Sequence, residues 1–152
     1  MASELLAMIA AMCARRQWPH TVLADQRAVV ITHAWITPGF ESRATVRDGG
    51  QVLAYGSTAA AATPPARLAE VARYLGLVNR ELDVGSFELS CDDGVVRCKT
   101  GLALEGAAPT DALLQGVVLP NHQAMIHYHD DLLRVIRGEA DAADAFADAM
   151  NR

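Results

Sequence analysis

The stretch that decides the fold is Leu77–Gly106, which reads LVNRELDVGSFELSCDDGVVRCKTGLALEG. The Asp93-Gly94 pair favours a two-residue turn, because turns that match strand twist need positive φ at their central residues. Around such a turn Glu88 lies opposite Lys99 as a cross-strand ion pair. Side chains alternate along a strand, so one face of this hairpin is apolar. That face holds Phe87, Leu89, Cys91, Val96, Cys98, Leu102 and Leu104. The stretch predicts an antiparallel hairpin that covers a core on one face.

A β region rich in Val, Ile and Thr precedes the hairpin. The pattern predicts a short strand over 21–25 and three longer strands over 28–37, 40–47 and 52–57. Pro38-Gly39 and Gly49-Gly50 are the expected turns of this antiparallel meander. In it, Leu53 and Tyr55 meet Val46 and Ala44, and the core face also holds Ile31, His33, Trp35 and Phe40.

Helical periodicity marks three further segments. We expect a first helix over 3–17, capped by Ser3, with Leu5, Ile9, Met12 and Cys13 buried. A second helix starts at Thr63-Pro64, buries Leu68, Val71, Ala72 and Leu75, and ends at Gly76. A long one runs from Thr110 to Gly138 and is kinked or split at Pro120. Its expected stripe is Leu113, Leu114, Val117, Val118, Met125, Leu132, Val135 and Ile136.

These elements predict one α+β domain over residues 1–138 with an antiparallel sheet, the meander plus the hairpin. Helices lie at its N-terminus, middle and C-terminus. Residues 139–152 are rich in Ala and Asp and form an acidic tail, a loose helix at most.

Composition excludes several classes of partner. The chain has 152 residues and a formal net charge of −5, so it is a poor candidate for nucleic acid. Aromatic residues make up 5%, too few for base-stacking platforms. The sequence has no stretch of about 18 apolar residues, so no membrane span is predicted. The first residues lack a signal-peptide pattern, and three cysteines form no disulfide framework, so we expect a cytoplasmic protein. We interpret Cys91 and Cys98 as small buried residues, with a redox pair as the alternative.

Five side chains near the C-terminus resemble a metal cluster: His122, His127, His129, Asp130 and Asp131. On a helix they do not converge, since His122 and His129 lie about 10 Å apart along the axis. Only His127 and Asp131 are spaced to share an ion, whereas a structural zinc takes four ligands. We therefore expect a solvated helix face, no metal and no cofactor.

No catalytic residue is predicted either. His33 lies on the expected core face beside Ile31 and Trp35, which offer no acid partner, so we interpret it as a satisfied core histidine. The Gly56-Ser57-Thr58 segment lacks the second glycine of a nucleophile elbow.

The outer face of the meander is the candidate interface. Val30, Ala34 and Ile36 place apolar side chains where a one-sided sheet is expected to be polar. Such surface either packs against another element or marks an interaction site. We expect a protein partner or a homodimer to bind here, the alternative being that the last helix or the acidic tail covers it.

Three segments carry a resemblance to a known family: NRELDVGSFEL at Asn79–Leu89, LALEG at Leu102–Gly106 and VLPNHQAMIHY at Val118–Tyr128. They resemble the YbjN family, the "putative bacterial sensory transduction regulators". The chain departs from the family pattern at His129–Asp131, where proline is frequent, and at Pro120. The resemblance implies a fold similar to that of type III secretion chaperones, and it supplies no established catalytic residues.

The sequence thus predicts a non-catalytic, protein-binding regulator or chaperone-like module. The alternative is a small enzyme or ligand sensor with an unrecognised pocket.

Overall fold

The computed structural model describes residues 2–152, with side chains from Glu4 onward. In that part of the chain, four α-helices and six strands follow one another as α1 Ala2–Arg15, β1 His20–Leu23, β2 Ala28–Thr32, β3 Glu41–Arg47, β4 Val52–Thr58, α2 Leu68–Glu81, β5 Ser86–Leu89, β6 Val96–Ala103, α3 Asp111–Arg137 and α4 Ala142–Met150. The predicted α+β class is confirmed. The proposed cap of α1, the Ser3 side chain, lies outside the described side chains.

The six strands form one antiparallel sheet in the order β1-β2-β3-β4-β6-β5. Burial alternates along its central strands: Ser42, Ala44 and Val46 are buried, whereas Glu41, Arg43 and Arg47 are exposed. Because the buried set packs with residues from the helices, the helices cover one face of the sheet and leave the other open.

Two apolar clusters fill the space between the helices and the sheet. The first joins α1 to the meander and the start of α3 through Leu5, Ile9, Val29, Ile31, Leu53 and Leu114. The second joins α2, α4 and the rest of α3 to the hairpin through Val71, Tyr74, Phe87, Val96, Met125 and Leu132. The long helix α3 contributes to both clusters and so connects the two halves of the domain.

The predicted meander register is confirmed between β3 and β4, where Ala44 pairs with Tyr55 and Val46 with Leu53. The strand predicted over 28–37 is wrong in length, because β2 ends at Thr32. A loop replaces its second half and is closed by a 3.0 Å hydrogen bond from the His33 amide to the Phe40 carbonyl. Trp35 therefore leaves the core face, is 51% exposed and stacks on Trp18.

The hairpin keeps its predicted faces but not its predicted turn. Glu88 pairs with Arg97 rather than Lys99, and residues 91–94 form a four-residue loop. The Gly94 amide donates to the Ser90 carbonyl. The Gly94 carbonyl accepts from the Thr63 amide, which anchors the loop to the segment before α2. A shift of two residues preserves the side-chain alternation, so Phe87 and Cys98 stay buried.

The longer loop has two consequences for predicted contacts. Cys91 lies in it and is exposed, so the prediction that this thiol is buried is wrong. Glu88 and Lys99 still form an ion pair at 3.3 Å, although diagonally rather than directly across the strands.

Helix α2 starts at Leu68 rather than at Thr63-Pro64, and the two expected helix breakers do not interrupt their helices. Gly76 does not end α2, because it lies on the exposed side of a helix whose buried stripe continues to Val78. Pro120 does not split α3, which is continuous from its Thr110 cap to the left-handed Gly138. Leu113, predicted in its buried stripe, is exposed. No helix in residues 2–152 is both long and apolar enough to span a bilayer.

The acidic segment after residue 138 folds back onto the domain as α4. Asp141 caps this helix by accepting from the Asp144 amide at 2.8 Å. Its small residues Ala142, Ala145 and Ala149 are buried in the second cluster, while Asp131 on α3 is held by Arg134 and Arg152. The segment expected as a loose tail is therefore packed.

Replacing Ala145 with Leu should lower the free energy of unfolding by about 1–3 kcal/mol, because the larger side chain overfills a packed contact. Urea denaturation measures the change. The matched variant Ala147→Leu lies on the exposed side of the same helix and should stay within about 0.5 kcal/mol of wild type. Equal, small effects of both substitutions would contradict a docked α4.

Candidate functional site

The uncovered side of the sheet carries a basic trough. We call this side the open face and define it by the outward residues of its three central strands: Glu41, Arg43, Thr45, Arg47, Ala54, Gly56, Thr58, Arg97 and Lys99. Strand pairing places Arg43, Gly56 and Lys99 side by side, in that order across β3, β4 and β6. The small residues of β4 therefore lie between two banks of long cationic side chains.

These residues form a trough of about 370 Å³ that follows β4. Its floor is Ala54 and Gly56, with Thr45 and Thr58 beside them. The absence of a side chain at Gly56 leaves room for Arg97, since a Cβ atom at position 56 would lie 2.8 Å from the Arg97 Cδ atom. The trough thus exists because β4 carries small residues where its neighbours carry long ones.

The charges of the trough are largely uncompensated. Four cations, Arg43, Arg47, Arg97 and Lys99, line it together with two carboxylates, Glu41 and Glu88. Lys99 pairs with Glu88, whereas in residues 2–152 the three arginines form no salt bridge within 4 Å. Arg43 donates instead to the Gln26 side-chain oxygen at 2.6 Å. An acidic chain therefore presents a cationic surface on one face of its sheet.

The opposite side of the sheet holds a buried polar network that links His33, Ser42, Ser57 and Asn121. The His33 Nε2 and Ser42 Oγ atoms are 2.9 Å apart, and the two serine oxygens are 2.6 Å apart. Ser57 donates to the Asn121 Oδ1 atom at 2.5 Å, and Asn121 donates from Nδ2 to the Cys98 carbonyl at 3.0 Å. All four side chains are buried.

Proton counting assigns the roles in this network. The Cys98 carbonyl can only accept, which fixes the orientation of the Asn121 amide. Ser57 uses its one proton on Asn121, so Ser42 must donate to Ser57. The Nε2 atom of His33 therefore carries a proton and donates to Ser42.

A second histidine lies against the first. The rings of His33 and His122 are 4.3 Å apart, and His122 Nε2 lies 2.5 Å from the Tyr55 hydroxyl. Burial lowers the pKa of His33 to about 4. Burial, with smaller contributions from His33 and Arg16, lowers the pKa of His122 to about 3. Both rings are neutral at pH 7.

This arrangement does not make a nucleophile. A catalytic serine needs a neighbouring histidine nitrogen that is free to accept its proton, and His33 Nε2 is a donor. The aromatic neighbours of the His33 ring are Trp18, Trp35, Phe40 and His122, and in the part of the chain that the structure describes the ring makes no hydrogen bond to a carboxylate. The interpretation of His33 as a satisfied core histidine is confirmed, with Ser42 as its partner.

The predicted interface residues do not share one strand face. Val30 lies on β2 directly opposite Arg43, so it borders the trough. Ala34 is exposed in the loop after β2, and Ile36 in the same loop packs against the second apolar cluster. The assumption that all three alternate along one strand is wrong because β2 ends at Thr32. Their role as an interface stays a prediction.

The histidine-rich part of α3 is not the solvated face that was expected. His122, His129 and Asp131 are buried, and His129 accepts a 3.0 Å hydrogen bond from the Ala60 amide through Nε2. Asp131 binds Arg134 and Arg152 rather than His127. Across residues 2–152, no three His, Cys, Asp or Glu side chains converge as a metal site.

Sequence reasoning missed the trough and the network for different reasons. The alternation at Arg43, Thr45 and Arg47 indicated a polar face on β3. Arg97 and Lys99 join that face only because β6 pairs with the far side of β4. Asn121 gave no local signal of a partner on the sheet, because its hydrogen-bond acceptor Cys98 is 23 positions away.

The histidine pair makes stability depend on pH. Because the folded-state pKa of His33 is about 4 and its ordinary value is 6.5, the unfolded chain binds more protons between these values. Stability should therefore be complete above pH 6.5 and fall as the pH drops towards 4. His33→Gln should flatten this decline by about 3 kcal/mol, measured by urea denaturation at a series of pH values.

The control for this measurement is Ile126→Gln, at an exposed position on α3 that carries no titratable group. It should leave the pH dependence of wild type unchanged. A His33→Gln variant whose stability declines as steeply as that of wild type would show that His33 is not kept neutral by the fold.

Two comparisons with known proteins both find similarity to YbjN. A family model described as "YbjN: Putative bacterial sensory transduction regulator" matches residues 5–118. A solved structure described as "Crystal structure of YbjN, a putative transcription regulator from E. coli" superposes with a TM-score of 0.57 at 8% sequence identity. The superposition covers 80% of this chain and 88% of that one, and at this identity it speaks for the fold alone. No curated protein matches the sequence.

The family model spans well over half of the chain and includes the meander, α2, the hairpin and the first part of α3. The similar solved structure has a fold like that of this chain. The chain therefore belongs to the YbjN family.

Proposed function

We propose that this protein is a non-catalytic regulator that acts by binding another protein across the open face of its sheet. The single observation that carries this proposal is the asymmetry of the sheet. One face is sealed by helices, whereas the other is left without a covering element in residues 2–152 and forms a cationic trough. A concave surface with uncompensated charge is suited to a partner of opposite charge.

The buried network favours binding over catalysis. The hydroxyls of Ser42 and Ser57 and the amide of Asn121 are engaged with one another and with the backbone. A group in this state stabilises the fold but is not available to a substrate, since a buried polar group left unsatisfied costs about 1–3 kcal/mol. This network therefore offers the enzyme alternative no reactive side chain that opens to solvent.

The family description supports a regulatory role for this binding. The family model carries the description "Putative bacterial sensory transduction regulator", and the similar solved structure is described as "a putative transcription regulator". We propose that the protein acts in the cytoplasm, where its three free cysteines would stay reduced. A homodimer formed through the open face is the alternative to a different partner, and Val30 would then lie at the edge of the interface.

A photo-cross-linking amino acid at Thr45, on the side of the trough, should attach to a partner protein in cells that express the variant. The same amino acid at Arg73, exposed on α2, is the control and should give no adduct of the same mass. Mass spectrometry of the adducts identifies the partner and tells a second copy from another protein.

Adducts that form equally from both positions would indicate non-specific contacts. Adducts from Arg73 alone would place the partner on the helices. Either result would contradict binding on the open face.

A further inference from the structure

We propose that the occupant of the trough is an extended segment of a partner protein that carries acidic side chains at alternating positions and lies along β4. This inference rests on the proposed function and deepens it, because it gives the chemistry of the bound segment. Three independent features of the trough support it: its spacing, its charge and its floor.

The spacing of the cations matches an extended chain. Arg97 and Lys99 lie two residues apart on β6, which separates their Cα atoms by about 7 Å. Side chains on one side of an extended segment recur at the same interval. The banks on β3 and β6 are separated by one intervening strand, which gives about 10 Å between their backbones. This width accommodates a single extended chain between the two banks.

The charge selects the side chains of that segment. Arg43, Arg47 and Arg97 lack a carboxylate partner within the described residues, and guanidinium groups bind carboxylates through paired hydrogen bonds. On the helices and at the C-terminus, four of the nine other arginines bind a carboxylate of this chain: Arg15, Arg80, Arg134 and Arg152. The trough arginines are thus available for carboxylates from outside.

The floor favours a polypeptide over a nucleic acid. It consists of Ala54 and Gly56 with flanking threonines. Tyr55 also borders it, but its ring is buried on the other side of the sheet with the hydroxyl on His122, so among the described residues no aromatic ring offers a platform for a base. Gly56 instead leaves room for the stem of Arg97, which lies over it and carries a guanidinium group into the trough. Gly56 is the critical position, because any side chain there would collide with the stem of Arg97.

The test uses a fluorescent peptide in which Glu alternates with Thr, titrated with the full chain and followed by anisotropy. A peptide of the same composition with its Glu residues in one block is the spacing control. A short DNA duplex, a single-stranded oligonucleotide and inorganic phosphate test other anions. The alternating peptide should bind at least about tenfold more tightly than the block peptide. Its affinity should fall as the salt concentration is raised.

Two variants connect this binding to the trough. Arg43→Gln with Arg97→Gln removes two cations but keeps much of each side chain. Gly56→Val displaces the stem of Arg97 without changing the charge. Each should weaken binding of the alternating peptide by about tenfold or more, whereas the control pair Arg73→Gln and Arg80→Gln, exposed on α2, should not. Thermal melting of every variant shows that the loss is not caused by unfolding.

The outcomes are distinct. Equal binding of the block peptide or of the nucleic acids would overturn an extended acidic segment in favour of general polyanion attraction. Failure of every acidic peptide, with a partner still cross-linked from Thr45, would overturn this inference but leave the proposed function intact. Failure of the peptides and of the cross-link together would overturn both.

Discussion

The fold depends on the hydrogen bonds that Asn121 makes from the middle of α3 to the sheet. Its amide joins Ser57 on β4 to the Cys98 carbonyl on β6, at the place where the meander meets the hairpin. Thr100 adds a second link, donating to the Val117 carbonyl at 2.8 Å. These directional hydrogen bonds lie among residues of the two apolar clusters. Apolar contacts are non-directional, so on their own they would let α3 slide or rotate on the sheet. The polar contacts fix where α3 lies on the sheet.

A helix fixed in this way makes the two faces of the sheet unequal. On the inner face, the polar groups of the network bind one another, and His33 donates from Nε2 to Ser42 and so does not accept a proton from it. The outer face keeps its charges, because Arg43 and Arg97 face solvent across the small residues of β4. The proposed function therefore assigns stability to the inner face of the sheet and recognition to the outer face.

Much of this could be predicted where the signal is local. Thr110 and Gly138 marked the ends of α3, and alternation assigned the correct faces to β3, β4 and β6. The pairings that were wrong, around Pro38-Gly39 and Asp93-Gly94, were wrong by an even number of residues, which leaves unchanged the faces of the residues that remain in the paired strands. What could not be predicted depends on distant contacts. The trough needs β6 beside β4, and the continuation of α2 past Gly76 needs the apolar partners of Val78.

The most direct test of this account is the stability of Asn121→Leu, compared by urea denaturation with Gln123→Leu at an exposed position of the same helix. Leucine at position 121 keeps the bulk of the side chain and removes its hydrogen bonds, which leaves Ser57 and the Cys98 carbonyl without this partner in the core. The account predicts a loss of about 2–4 kcal/mol for Asn121→Leu and less than about 0.5 kcal/mol for Gln123→Leu. An Asn121→Leu variant as stable as wild type would contradict it, because the apolar clusters alone would then suffice to hold α3 on the sheet.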